Sequence, residues 1–142
     1  MSTIAKIANG TLLKVGDGAS SENFTVVPEV TKIAGPSVKF DLLDATSHDL
    51  GGGNFREWIP GLADGENVTA DMHWRPSNVV HKGLRVDQYA RTKRNFEVVF
   101  PDTTDNTVTI ATYIMQLASK ADIGALMEAS LQIRITGSPV WT

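Results

Sequence analysis

Three histidines, His48, His73 and His81, are the residues best able to hold a metal or move a proton at neutral pH. No pair of them has the i, i+4 spacing of a helical zinc site. His48-Asp49 and Asp71-x-His73 each offer two ligands, whereas a metal needs three or four that converge. All three therefore read as ordinary surface histidines, and no metal ligand is assigned. Nucleophilic chemistry fares no better. No serine lies in a G-x-S-x-G elbow, and the chain has no cysteine. Gly16-Asp17-Gly18 lacks the third glycine of a dinucleotide loop and the lysine of a P-loop, so it reads as a β-turn. Asp102 to Asp105 lacks the spacing and glycine of a calcium loop. The remaining carboxylates are scattered, and no acid–base pair is nominated. No catalytic residue and no cofactor follow from these residues.

The elements available to position anything come next. The 142 residues suggest one domain, and 42% hydrophobic with 20% charged residues is a globular composition. With no disulfide available, packing and backbone pairing must hold it. The N-terminus has no signal-peptide pattern. The apolar runs are far too short to span a membrane. Without a secretory route, Asn23-Phe24-Thr25 and Asn67-Val68-Thr69 match the glycosylation pattern only by chance. The formal charge is −3, and Lys93-Arg94 is the densest basic pair. Tight nucleic-acid binding needs clustered cations, so it is disfavoured.

Period-2 alternation dominates and predicts strands. In Asn67 to Arg75, Val68, Ala70, Met72 and Trp74 share one face. In Ser130 to Thr136, Leu131, Ile133 and Ile135 do. Val38, Phe40 and Leu42 form a third set, and Phe96, Val98 and Phe100 a fourth. Thr107 to Leu117 is a longer β-branched run. One dry and one wet face implies an antiparallel sandwich or barrel. Turns are expected at Gly16-Asp17-Gly18, Gly35-Pro36, Gly51-Gly52-Gly53, Asp64-Gly65, Pro101-Asp102 and Gly137 with Pro139.

One helix is expected over about 78–91, capped by Ser77 or Asn78. Its apolar stripe is read as Val79, Gly83, Val86 and Ala90, with Val80 and Leu84 beside it. Ala118 to Ala129 reads as an irregular loop or a strand lead-in. Asp44 to Glu66 reads as a long irregular segment, yet it holds Phe55, Trp58, Ile59 and Leu62. Such residues either fold back on their own core or bury against another subunit.

The ordered motifs resemble a known family. These are Gly10-Thr-Leu-Leu-Lys-Val-Gly-Asp-Gly18, Phe24-Thr-Val-Val27, Val30-Thr-Lys-Ile-Ala-Gly-Pro36 and Leu42-Leu-Asp-Ala-Thr46. Arg56-Glu-Trp-Ile-Pro-Gly-Leu62, Phe96-Glu-Val-Val-Phe-Pro-Asp102 and Ala129-Ser-Leu-Gln-Ile-Arg-Ile-Thr-Gly137 follow. Together they span nearly the whole chain and are similar to the major tail tube proteins of long, flexible-tailed, lambda-type bacteriophages. The resemblance implies a mainly β fold, an antiparallel β-sandwich or open barrel with one flanking helix and a long assembly loop. It implies a structural role without catalysis, in homohexameric rings stacked into a tube in the virion tail. It implies manufacture in the host cytoplasm and partnership with tape-measure, tail-tip and tail-terminator proteins. DNA would pass through without specific binding, and no membrane is involved. Asp44 to Glu66 would be the stacking loop, with Phe55, Trp58, Ile59 and Pro60 as apolar anchors and Arg56 and Glu57 as ion partners between subunits. Asp41, Asp71 and Glu97 lie on polar strand faces, where they face either the lumen or outer solvent. The competing readings are a virion β-sandwich binding module, such as a decoration or tail-tip protein, and an enzyme.

Overall fold

A computed structural model describes residues 9–47, 55–104 and 106–142. In chain order the elements are β1 Leu12–Gly16, β2 Phe24–Val26, β3 Val30–Ala34, β4 Val38–Asp44, β5 Trp58–Gly65, β6 Asn67–His73, α1 Val79–Ala90, β7 Lys93–Val99, β8 Thr107–Lys120, β9 Glu128–Ile135 and β10 Val140–Trp141. The main sheet runs β2-β1-β7-β8-β9-β6-β3, with β10 added on β8. All its pairings are antiparallel. β4 and β5 pair only with each other.

The sheet must curl, and the chain shows why. Its two edge strands, β2 and β3, are consecutive, with only Val27, Pro28 and Glu29 between them. Seven strands laid flat at about 4.8 Å spacing span roughly 29 Å. Three intervening residues reach only about 14 Å. The crossing segment is fixed where the edges approach. Val27 N–H donates to Leu13 C=O at 2.8 Å, and His73 N–H donates to Glu29 C=O at 2.9 Å. Glu29 takes a positive φ of 65° to make the bend. The result is an open barrel. A hollow of about 650 Å³ marks its seam, lined by Thr11, Val30, Lys32, Ile33, Phe100 and Asp102 among others.

The alternating residues supply the core. Val68, Ala70, Met72, Phe96, Val98, Val108, Ile110, Leu131, Ile133 and Ile135 are all buried. The expected strands at Asn67, Phe96, Thr107 and Ser130 therefore form and bury the expected faces. Ala118 to Ala129 divides between the end of β8, a turn and the start of β9.

The helix forms where the capping pattern placed it. The Asn78 side chain accepts from the N–H groups of Val80 and His81, and Arg91 ends the helix in a left-handed conformation. Its orientation differs from the apolar stripe, however. The buried residues are His81, Leu84 and Asp87, while Val79 and Val86 are exposed. Counting apolar residues missed this because two polar groups are buried with partners. His81 Nδ1 accepts from Arg75 N–H at 3.1 Å, so Nε2 carries the proton and donates to Pro28 C=O at 2.8 Å. The ring also stacks on Trp74, with centroids 5.5 Å apart.

His81 is thus a buried pin between helix, crossing segment and β6 exit, not a surface histidine. His81→Phe keeps an aromatic ring but leaves the Pro28 carbonyl and the Arg75 N–H unpaired. At about 1–3 kcal/mol per orphaned group, the expected loss for the two is roughly 2–6 kcal/mol. Urea unfolding measures it. An unchanged midpoint would show that the two hydrogen bonds contribute nothing to stability.

Candidate functional site

The segment that departs most from a closed core is the β4–β5 pair. Every residue of β4 is exposed, and in β5 only Gly61 and Gly65 are not. Alternation predicted β4 as a strand, but its apolar residues cover no core of their own. The expected irregular segment Asp44 to Glu66 is also revised, because its second half is strand β5. The strand was hidden by a bulge. Phe40 pairs with Ala63 but Leu42 pairs with Pro60, so β5 carries one extra residue opposite Asp41. That insertion breaks the period-2 pattern. Pro60 is tolerated because a two-stranded ribbon is all edge.

The ribbon is an extension of the barrel. β3 leads into β4 and β5 leads into β6, so the two legs that pair as β3–β6 continue outward as β4–β5. The junction is clamped. Glu66 N–H donates to Ser37 C=O at 2.8 Å, and Arg134 Nη2 on β9 donates to Asp64 Oδ2 at 2.7 Å. Asp64-Gly65, expected as a turn, lies inside β5. A Cβ on Gly65 would sit 2.6 Å from Ile135 Cγ2, so the glycine is required by close approach.

Strand alternation gives this arm an apolar face. Phe40 and Leu42 of β4 lie opposite Ala63 and Pro60 of β5, with Val38 opposite Gly65 and Trp58 opposite Asp44 at the two ends of the same face. Phe40, Leu42, Trp58 and Ile59 are each about half exposed, and Phe55 is four-fifths exposed. The distal end is organised by Asp44. Its carboxylate accepts from Thr46 N–H at 2.9 Å, and Thr46 Oγ1 accepts from Glu57 N–H at 2.9 Å. Hydrogen bonding from Thr46 holds the Asp44 carboxyl below its ordinary range, with a smaller contribution from Arg56. Arg56 stands 3.9 Å from Asp44. Exposed pairs of this kind contribute little, so Arg56 is available to exchange partners.

The structure therefore brings Phe55, Arg56, Glu57, Trp58, Ile59 and Pro60 together on one protruding arm. It does not bring the three acids together. Asp41 lies at the bulge in the arm. Asp71 on β6 and Glu97 on β7 lie on the wet face of the main sheet, with β8 and β9 between them. Each has a lysine as a cross-strand neighbour, Lys32 beside Asp71 and Lys14 beside Glu97. His48 and Asp49 lie outside the described residues. His73 is half-buried at the end of β6, and its Nδ1 is shielded without a partner among the described atoms. Among the described residues no three His, Asp or Glu stand close enough to hold a metal ion.

The fold has close counterparts among solved structures. A chain in the tail of an empty gene transfer agent particle, refined with C6 symmetry, superposes with a TM-score of 0.81 at 17% identity, covering 97% of this chain and 99% of that one. A chain of the SPP1 tail tube gives 0.68 at 15% identity, over 92% and 74%. A chain from the sheath/tube terminator structure of an extracellular contractile injection system gives 0.72 at 12% identity, over 100% and 99%. At these identities the likeness is one of fold. No curated protein sequence matches this chain. The sequence itself carries the stronger signal: residues 6–142 fit the family model described as lambda phage tail tube protein, and the chain belongs to that family.

Proposed function

We propose that this chain is the structural subunit of a phage tail tube, closing into six-membered rings that stack into a hollow conduit for DNA between capsid and host cell. The observation that carries the reading is the arm. A subunit with a complete core also extends about 24 Å of ribbon, at 3.4 Å per residue over seven residues, and that ribbon carries an apolar face open to water. Such a face marks a protein–protein contact. Identical copies joined by contacts that close in one direction and repeat in another build a tube. The C6 symmetry of the gene transfer agent tail supports the ring number. Strand edges left unpaired along β2 and β3 are further surfaces for lateral contact.

In this arrangement Phe55, Trp58, Ile59 and Pro60 anchor ring to ring, and Arg56 and Glu57 pair across the joint. The wet sheet face lines the lumen. Asp71 and Glu97 there, offset by Lys32 and Lys14, make a wall without the basic stripe that would grip phosphates. A tape-measure protein would occupy the lumen during assembly, and tail-tip and terminator proteins would bound the tube. The role is structural and calls on no catalytic group.

Negative-stain electron microscopy of concentrated protein, with light scattering alongside, tests the reading. Hollow tubes or six-membered rings are expected. Discrete monomers or trimers across all concentrations, salts and temperatures would sink it and favour a virion binding module.

A further inference from the structure

The exposed apolar residues include two protruding groups at opposite poles of the molecule. One is the arm. The other is the turn between β8 and β9, residues 121–127, where Ile123 is fully exposed, Leu126 about two-thirds and Met127 about half. The ladder between β6 and β9 fixes their positions. Asn67 pairs with Arg134 at one end, and His73 pairs with Glu128 at the other. The arm enters β6 at Asn67, and the turn enters β9 at Glu128. Six residue steps separate those ends, roughly 20 Å along the strand. β8 climbs away from the arm and β9 returns toward it, so the turn points the other way.

The turn is shaped to present these side chains. Ala125 N–H donates to Asp122 C=O at 3.2 Å, and Gly124 takes a φ of 82°. Solvated turns favour Gly, Asn, Asp and Ser. Three exposed aliphatic residues within five positions do nothing for an isolated subunit. Each pole also carries one exposed ion pair. Lys120 pairs with Asp122 at 3.3 Å beside Ile123, and Arg56 faces Asp44 at the arm's end. Both poles thus present exposed apolar side chains beside weak, solvent-exposed ion pairs that can exchange partners.

We infer that the β8–β9 turn is the seat on which the arm of a second copy of this chain docks. The inference rests on the tube reading. Subunits that share one orientation around a ring give it two different faces, and stacking then joins unlike poles. The arm of one copy meets the turn of the next. Contact between two arms would be self-complementary, would close as a pair and would stop growth.

The absence of native cysteine makes the test direct. Leu42→Cys and Leu126→Cys are prepared as separate full-length proteins, mixed under assembly conditions and oxidised. The mixture is expected to form the mixed disulfide dimer, while each variant alone forms none. The double variant L42C/L126C is expected to give a ladder of multimers. Separately, Ile123→Asp with Leu126→Asp should abolish pelletable tubes and leave the subunit's unfolding midpoint in place, because neither residue touches the core. Tubes that form normally with both aspartates, or disulfides between two Leu42→Cys chains, would overturn the docking inference and leave the tube reading standing. Failure of the unmodified chain to form tubes at all would overturn both.

Discussion

Trp58→Ala is expected to push tube formation to far higher protein concentrations while the subunit unfolds as before. Trp58 stands on the arm beyond the barrel core, about half exposed. Truncating it leaves no cavity among the packed residues, so the stability terms of the monomer are untouched. Its loss is felt only where a second surface covers it. A large aromatic at the centre of an interface contributes about 2–3 kcal/mol. Per subunit, that raises the concentration needed for assembly roughly 30- to 150-fold. Sedimentation of tubes across a dilution series reads this shift, and urea unfolding of the monomer provides the control. A monomer whose midpoint falls with the substitution would return Trp58 to the core and remove it from the assembly surface.

The second large effect lies under the helix. Arg94 on β7 grips Asp87 with two hydrogen bonds, Nε to Oδ2 and Nη2 to Oδ1, both 3.0 Å, while its Nη1 donates to Asp17 C=O at 3.0 Å. The guanidinium therefore ties the helix to β7 and to the β1–β2 turn. Hydrogen bonding to Asp87, with the charge attraction behind it, raises the Arg94 pKa further above its ordinary value, so the cation persists throughout the accessible pH range. Asp87→Ala strips this cation of its carboxylate in a site where its side chain is only a quarter exposed. The expected cost is about 3 kcal/mol, the low end for a buried pair. For a chain of this size that corresponds to a melting temperature lower by roughly 6–12 °C. Replacing both partners together, D87L with R94M, should recover most of the loss, because no charge is then left unpaired. Equal losses in the single and double variants would show that the helix depends on side-chain shape rather than on charge pairing.

The two sites differ in how far the sequence exposes them. The barrel strands were legible because each buries one face, and burial enforces period 2. Val68, Ala70 and Met72 read as core and are core. Val38, Phe40 and Leu42 show the same alternation and lie outside it. Alternation reports that a face is dry somewhere, not which chain keeps it dry. Strand β5 was illegible for a different reason. The extra residue at the bulge shifts the phase between Ala63 and Pro60, so neither half is long enough to show a period. On the helix, Asp87 and His81 look like solvent-facing residues until their partners are known. Arg94 lies seven residues from Asp87 in sequence, and Pro28 lies 53 from His81. No local pattern connects such pairs. The arm still stood out in the sequence, because Phe55, Trp58, Ile59 and Leu62 are too apolar for a solvated loop, and all four are exposed.

The continuity of the arm with β3 and β6 has a mechanical consequence. A pull on the arm along its own axis is carried by covalent backbone directly into β6, the strand held between β3 and β9. Antiparallel hydrogen bonds run perpendicular to the strands. Such a pull therefore loads the β6–β9 ladder in shear, sharing the force over all seven residue pairs from Asn67 to His73 at once. Peeling would instead break the pairs one after another. Force spectroscopy on single subunits, pulled through the arm, should accordingly show one high rupture rather than a series of small ones. By this geometry, tension applied through the arm must overcome the whole ladder at once before the subunit unravels.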